Sequence, residues 1–190
     1  RRFGKSLMLS TLKAIFQGRR ELFDGLAIAK TDYDWNDTYP VLHFSFGTMD
    51  VSTLEIFQKE LAARIEAAFA GVNCAYDPTT TPSVNFGNAI NALTTRCGKP
   101  IVVLIDEYDA PVGRAIADPD KAEAIRECLA AFYGQIKEHV ADIRFLMMTG
   151  VTKFTQLSVF SALNNLSDLT LSAQTATLLG YTQEELETYF

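Results

Sequence analysis

The chain has 190 residues, of which 48% are hydrophobic and 21% are charged, and its formal net charge is −6 at pH 7. This balance is ordinary for a soluble globular protein and excludes a disordered chain, which is too polar to bury a core. Because no dense run of Lys or Arg offsets the acidic charge, nucleic-acid binding by this segment is not indicated.

Helix and strand patterns alternate from the start of the chain. After Gly4-Lys5-Ser6, apolar residues at helical spacing predict a helix that ends at Gly18. A polar and aromatic connection over residues 21–37 leads to a short β-type run at residues 41–46. A clear amphipathic helix is predicted over residues 52–71.

The middle of the chain continues this alternation. A loop over residues 73–83 precedes a helix that ends near Gly98. An entirely apolar strand follows at residues 101–105, and a loop is expected from there to Asp118-Pro119. Apolar residues at helical spacing then predict a helix over residues 122–140.

The last part of the chain adds a third strand and a final helix. Residues 143–149 form the strand, which Gly150 stops, and residues 169–171 are a short candidate fourth strand. Thr182 followed by Glu185 predicts a capping box at the start of the final helix. Strands that alternate with helices predict an α/β fold in which helices cover both faces of a parallel sheet.

Gly4-Lys5-Ser6 at a helix start has the composition of a phosphate-binding loop. Gly4 lets the backbone approach the phosphates, Lys5 reaches their oxygens, and the Ser6 hydroxyl is suited to ligate Mg²⁺. The match is partial, because the first Gly of the full pattern lies before the first residue. Arg2 and Phe3 complete the visible loop and are assigned to the nucleotide site. A helix that merely begins after a tight Gly turn is the alternative.

Two adjacent carboxylates, Asp106 and Glu107, follow the apolar strand. A buried carboxylate needs a cation or hydrogen-bond donors, and successive strand residues point to opposite faces. We therefore expect Asp106 to hold Mg²⁺ and Glu107 to act as general base on the attacking water, with a solvated turn as the alternative. Asp109 is expected to cap the next turn. Thr149 is expected to sense the γ-phosphate or orient the water, unless it is an ordinary strand-end Thr.

The chain resembles, over nearly its whole length, the AAA-ATPase-like proteins of bacteria, which are related to archaeal-type signalling ATPases. The resemblance is carried by residues 1–7, 21–26, 98–109, 149–154 and 163–166, with Gly180-Tyr181-Thr182 before the last helix. It implies a P-loop NTPase fold of the ASCE type, with strand order 5-1-4-3-2 and a first strand that precedes residue 1. It also implies that such a domain often precedes a nuclease-like domain of the PD-(D/E)XK class.

The resemblance places Lys5 and Ser6 in the phosphate loop, Asp106 and Glu107 on the acidic strand, and Thr149 at the sensor position. It assigns no chemistry to three residues of family-like segments: Lys153, Asn164 and Asn165. Three residues are equally eligible as an arginine finger: Arg114, Arg126 and Arg144.

Histidine and cysteine patterns indicate no second chemistry. His43 is expected to be a packed strand residue and His139 a surface residue, and no Ser/His/Asp or Cys/His arrangement is visible. The three cysteines lack CxxC spacing, so we expect free thiols in a reducing cytoplasm: Cys74, Cys97 and Cys128. No apolar run approaches about 18 residues, and no membrane segment or signal peptide is visible.

The sequence therefore predicts a single ATP-binding P-loop domain over residues 1–190, truncated at both ends. We expect slow Mg²⁺-dependent ATP hydrolysis that acts as a conformational switch for an attached effector domain. The first alternative is a scaffold that binds ATP without hydrolysing it. The second is a phosphotransferase, which would normally have an Arg-rich lid, whereas residues 110–120 contain only Arg114.

Overall fold

The computed structural model describes residues 4–151, 166–170, 172, 175–179 and 182–189. Its strands are β1 (Val41–Ser45), β2 (Ile101–Asp106) and β3 (Ile143–Met148). Its α-helices are α1 (Lys5–Phe16), α2 (Leu54–Ala70), α3 (Pro82–Cys97), α4 (Ala110–Ala115), α5 (Pro119–Glu138) and α6 (Gln183–Tyr189). Short 3-10 helices cover Arg20–Phe23, Ala27–Lys30 and Val140–Asp142.

The three strands form one parallel sheet in the order β1-β2-β3. Val41 of β1 lies opposite Val102 of β2, and Ser45 lies opposite Asp106. All six residues of β2 are buried, as expected for the central strand of a parallel sheet that is covered on both faces. The predicted α/β class with a parallel sheet is confirmed.

Three helices begin at residues whose side chains cap them. Thr53, Thr81 and Asp118 each accept a hydrogen bond from the backbone N–H three residues later, at the starts of α2, α3 and α5. Each cap satisfies an N–H that has no partner within its helix. The predicted capping box of α6 is also present, because the Thr182 N–H donates to the Glu185 carboxylate at 2.7 Å and the Glu185 N–H donates to the Thr182 hydroxyl at 3.2 Å.

The two faces of the sheet are covered differently. α1 lies on one face, which we call the α1 face, and α2, α3 and α5 lie on the other, which we call the three-helix face. On the α1 face the buried cluster consists of Leu9, Val41, Val102 and Leu104. The three-helix face contains an aromatic cluster in which the Phe132 ring stacks on Phe86, with centroids 4.5 Å apart.

An arginine occupies the outer edge of β1. The Arg64 guanidinium of α2 donates to the Ser45 carbonyl at 2.9 Å and to the Thr48 hydroxyl at 2.9 Å. The next residue, Phe46, directs its N–H to the Asp106 carbonyl of β2, so the Ser45 carbonyl points away from β2. Arg64 therefore satisfies a backbone acceptor at the sheet edge.

The structure differs from the sequence-based expectations in three places. α4 forms where a loop is expected, because Pro111 in its first turn favours a helix start. Val140 is 54% exposed and does not extend the buried stripe of α5, since that helix ends at Glu138. Leu169 and Thr170 form no strand, and the third residue of that expected strand lies outside the described residues.

Candidate functional site

The N-terminus of α1 lies at the edge of the sheet where the strands end. At the opposite end of the helix, the Tyr39 N–H donates to the Phe16 carbonyl at 2.9 Å, immediately before β1 begins. α1 therefore runs antiparallel to the strands, and its 12 residues extend about 18 Å, close to the length of β2. The first residues of α1, Lys5 and Ser6, are thus directed to the same edge as Asp106.

Gly4 gives this helix start its shape. Its φ of +85° is in the left-handed region, which glycine adopts without steric cost. Among the described residues, no side chain caps the N-terminus of α1, and its first turn contains no acidic residue. The N–H groups and the positive end of the helix dipole at this position favour an anion such as phosphate.

Asp106 and Thr149 are joined at the ends of β2 and β3. Both residues are 6% exposed, and the Thr149 hydroxyl donates a hydrogen bond to the Asp106 carboxylate. The Thr149 N–H also donates to the Ile105 carbonyl at 2.8 Å, which continues the pairing of the two strands. The Thr149 hydroxyl therefore lies beside the acidic strand. It contacts the first acid of the pair directly.

Glu107 has an unusual backbone conformation. Its φ is +52°, a value that costs a non-glycine residue free energy unless its neighbours hold it. The Glu107 N–H donates to the Thr149 hydroxyl at 3.4 Å, and the Tyr108 N–H donates to the Thr149 carbonyl at 3.0 Å. The Tyr133 hydroxyl donates to the Tyr108 carbonyl at 3.0 Å. These contacts fix the turn in which Glu107 lies.

Asp109 does not cap α4 as expected. Its side chain makes no capping bond there, although it occupies the N-cap position. Its two carboxylate oxygens accept the Val151 N–H, at 2.9 and 3.2 Å, and the residue is 2% exposed. A Cβ on Gly150 would lie 2.5 Å from the Tyr108 ring and 2.7 Å from Asp109 Oδ1. The exits of β2 and β3 are therefore packed closely together.

The three candidate arginine fingers have different surroundings. Arg114 on α4 donates to the Met49 carbonyl at 2.8 Å, close to the exit of β1. Arg126 pairs with Glu123 on its own helix. Arg144 is the second residue of β3 and therefore lies near the amino ends of the strands. Asp106 lies at their carboxyl ends, so Arg144 is excluded from this site.

His43 and His139 are both partly buried. Burial and the nearby Lys13 lower the pKa of His43, which agrees with a packed strand residue. His139 is 16% exposed and its Nδ1 lies 3.6 Å from the Asp142 carboxylate, so the expected surface position is wrong. The cysteines are free thiols, as predicted: Cys74, Cys97 and Cys128.

Several residues that the sequence singles out lie outside the described residues: Arg2, Phe3, Lys153, Asn164 and Asn165. Within the described part of the chain, sequence reasoning missed two features: the Glu107 carboxylate lies directly against Gly47, and the Tyr133 hydroxyl donates to the Tyr108 carbonyl. Tyr133 was visible only as one apolar position of α5. The role of Gly47 depends on a side chain 60 residues away, and no local pattern indicates it.

The oxygen atoms at the carboxyl ends of the strands are suitable ligands for a hard divalent cation. Within the described residues, the Asp106 carboxylate has no hydrogen-bond partner other than the Thr149 hydroxyl. A carboxylate and the Ser6 hydroxyl, completed by phosphate oxygens and water, are the kind of ligands that Mg²⁺ takes. No group of three or more His, Cys, Asp or Glu residues in the described ranges is arranged to hold a metal. A Mg²⁺ site that uses substrate phosphates does not require one.

Comparisons with known proteins identify a family and a relative of the chain. Residues 1–160 match the family model described as AAA-ATPase-like, predicted AAA-ATPase. The chain is 38% identical over 193 residues to an uncharacterized protein in the vnfD 5' region of Azotobacter chroococcum mcd 1. That alignment covers 100% of this chain but only 36% of the relative's length. No solved structure matches the chain.

None of the helices that the structure describes is both long and apolar enough to cross a membrane.

The family model covers most of the chain, and its description implies ATP binding. The chain belongs to the AAA-ATPase-like family of predicted ATPases.

Proposed function

We propose that this chain is a P-loop domain of the ASCE group that binds ATP and hydrolyses it slowly with Mg²⁺. The observation that carries the proposal is the meeting of Asp106, Glu107 and Thr149 at the edge of the sheet to which the N-terminus of α1 is directed. In open α/β sheets, ligands bind at the carboxyl ends of the strands.

The strand order supports the ASCE assignment. The observed order β1-β2-β3 corresponds to strands 2, 3 and 4 of the order 5-1-4-3-2 that the resemblance implies. In that order, the strand before the phosphate loop pairs with β3. No described strand occupies that edge of β3, whose residues are exposed or half-buried whereas β2 is entirely buried. An apolar strand with unpaired backbone groups along one side is a template for a further strand.

Each residue of the site has a role in this reaction. Lys5 and the amides at the start of α1 bind the phosphates, and Ser6 and Asp106 are the residues that would hold Mg²⁺. Bound Mg²⁺ would neutralise charge that develops on the phosphate oxygens. Glu107 accepts the proton of the attacking water. Thr149 orients the Asp106 carboxylate through its hydrogen bond.

We further propose that hydrolysis acts as a conformational switch for an attached effector domain. The relative is much longer than the chain, which covers 36% of it, so a further domain has room there. The resemblance favours a nuclease-like domain. A scaffold that only binds ATP differs from this proposal in one measurable property, which is phosphate release.

Two substitutions in the full-length protein test the site. Lys5→Ala removes the phosphate counter-charge, so we expect loss of ATP binding in a titration with a fluorescent ATP analogue. Lys13→Ala is the matched control, because it removes the same charge from the other end of α1. Glu107→Gln should retain ATP and lose about 10²–10⁴-fold in phosphate release, the usual contribution of a general base.

The controls separate the alternatives. Equal ATP affinities for the Lys5→Ala and Lys13→Ala variants would contradict the phosphate-loop assignment. ATP binding without phosphate release in the wild-type protein would favour the scaffold. If the Glu107→Gln variant released phosphate at a rate within about threefold of the wild-type rate, Glu107 would not be the general base.

A further inference from the structure

A glycine at the exit of β1 lies directly against the carboxylate of Glu107. A Cβ on Gly47 would lie 2.1 Å from Glu107 Oε2 and 2.7 Å from its Cδ, closer than real Cβ atoms approach other atoms. The carboxylate therefore occupies the space that a side chain at position 47 would need. Gly47 does not have a positive φ, so the backbone conformation here does not require glycine. The requirement is for space.

The backbone that directs Glu107 toward Gly47 is firmly held. Glu107 has a φ of +52°, and the Thr149 hydroxyl and carbonyl accept the N–H groups of Glu107 and Tyr108. The buried Tyr133 hydroxyl donates to the Tyr108 carbonyl. Because the backbone groups of Glu107 and Tyr108 are held by these contacts, the Glu107 side chain leaves the strand in a defined direction.

The two acids consequently point to different neighbours. Asp106 is hydrogen-bonded to Thr149 at the end of β3, whereas the Glu107 carboxylate lies at the exit of β1, on the other side of β2. Adjacent strands are about 4.8 Å apart, so the two acids reach toward positions separated by about two strand spacings. In the proposed site, the Asp106 carboxylate is thus available to the cation and the Glu107 carboxylate to the water.

We propose that Gly47 is a positioning residue. Because it has no side chain, the Glu107 carboxylate can occupy the space beside it and accept the proton of the attacking water from there. The inference rests on the proposed function, in which Glu107 is the general base. As the water oxygen bonds to the γ-phosphorus, the bridging oxygen leaves with ADP and the water proton passes to Glu107. A side chain at position 47 displaces the carboxylate from the water and leaves Lys5, Ser6 and Asp106 unaffected.

Gly47→Ala in the full-length protein tests this. The backbone accepts alanine, and the colliding atoms belong to the flexible end of a side chain, so the variant should fold. We expect phosphate release to fall about tenfold or more, toward the loss for a missing general base, with ATP affinity within about twofold of the wild type. This division between turnover and affinity is the mark of a group that acts in the transition state.

Gly87→Ala is the matched control. Its Cβ would lie 2.2 Å from Gln135 Oε1, also at the end of a flexible side chain, but between α3 and α5. This variant should turn over ATP at the wild-type rate. If Gly47→Ala and Gly87→Ala lower turnover equally, or if neither lowers it, the positioning role is wrong.

Combining the substitutions separates this inference from the proposed function. In the Glu107→Gln background, Gly47→Ala should cause no further loss of turnover, because the base is already absent. In thermal unfolding, which needs no nucleotide, we expect Gly47→Ala to lower the melting temperature in the wild-type background, because the Glu107 carboxylate must move, and not in the Glu107→Ala background. Failure of that rescue overturns the contact itself. A wild-type protein that binds ATP but releases no phosphate overturns the proposed hydrolysis, and with it the role of Gly47 in turnover.

Discussion

The α1 face and the three-helix face of the sheet share the same strands but differ in how much they bury. The three-helix face contains a cluster of 24 buried residues, whereas the α1 face has a cluster of four, counted over the described residues. Asp106 and Thr149 continue the alternation of Leu104 and Met147 and so lie on the side of α1. The side with the smaller core carries the proposed nucleotide site, as expected if a bound ligand needs access that a closed core denies.

This difference implies that stability and nucleotide binding can be changed separately. Substitutions on the three-helix face should affect folding and leave ATP affinity unchanged. Substitutions on the α1 face should affect folding and ATP affinity together, since the same helix supplies both the small core and the proposed phosphate loop.

Phe132→Ala should give the largest loss of stability. The ring is fully buried and contacts Phe44, Phe46, Phe86 and Tyr133. Truncation of such a ring costs about 3–5 kcal/mol in free energy of unfolding, measured by urea denaturation. ATP affinity of the folded fraction should not change. Phe132→Leu keeps most of the volume and should cost clearly less. A loss of ATP affinity in folded Phe132→Ala protein would break the separation of the two faces.

Leu9→Ala should cost less stability but also weaken ATP binding. Leu9 is 0% exposed and is the residue of α1 in the four-residue cluster, so we expect a loss of about 2–3 kcal/mol in free energy of unfolding. Because α1 is then anchored less firmly, Lys5 is also held less precisely, and we expect a lower ATP affinity in a titration. Leu7→Ala, on the same helix but 71% exposed, is the control and should change neither property. Unaltered ATP affinity in Leu9→Ala would show that the sheet does not hold the phosphate loop through this contact.

Thr149→Val should have the smallest effect on stability and a selective effect on turnover. The hydroxyl donates to the buried Asp106 carboxylate, and its loss should cost about 1–2 kcal/mol in free energy of unfolding. Phosphate release per folded molecule should fall more than ATP affinity, measured in single-turnover assays. Thr94→Val is the control, because the Thr94 hydroxyl is buried without a hydrogen-bond partner among the described residues. Equal turnover in both variants would leave Thr149 with a structural role alone.

The helices and strands follow from local patterns, but the details of the site do not. The stripe of Phe57, Leu61, Ile65 and Phe69 and the apolar run of β2 each identify an element without help from the rest of the chain. The order of the strands could be expected only through the resemblance, since pairing depends on contacts distant in sequence.

The positions of Asp109 and Glu107 show where local reasoning stops. Asp109 has the type and position of a helix cap, yet its carboxylate binds the Val151 N–H, because β3 ends beside it. The positive φ of Glu107 depends on groups from β3 and α5. Neither partner is near in sequence, so only the folded sheet reveals these contacts.

The contact between Arg64 and Ser45 has a consequence for how the sheet can grow. A guanidinium that donates to the outer carbonyl of β1 competes with any strand that approaches from that side, and edge charges of this kind oppose intermolecular pairing. β3 lacks such a residue within the described part of the chain, apart from the exposed Arg144 near its start. Over the described residues, strand pairing is therefore opposed by a charged side chain at the end of β1 and by none at residues 145–148 of β3.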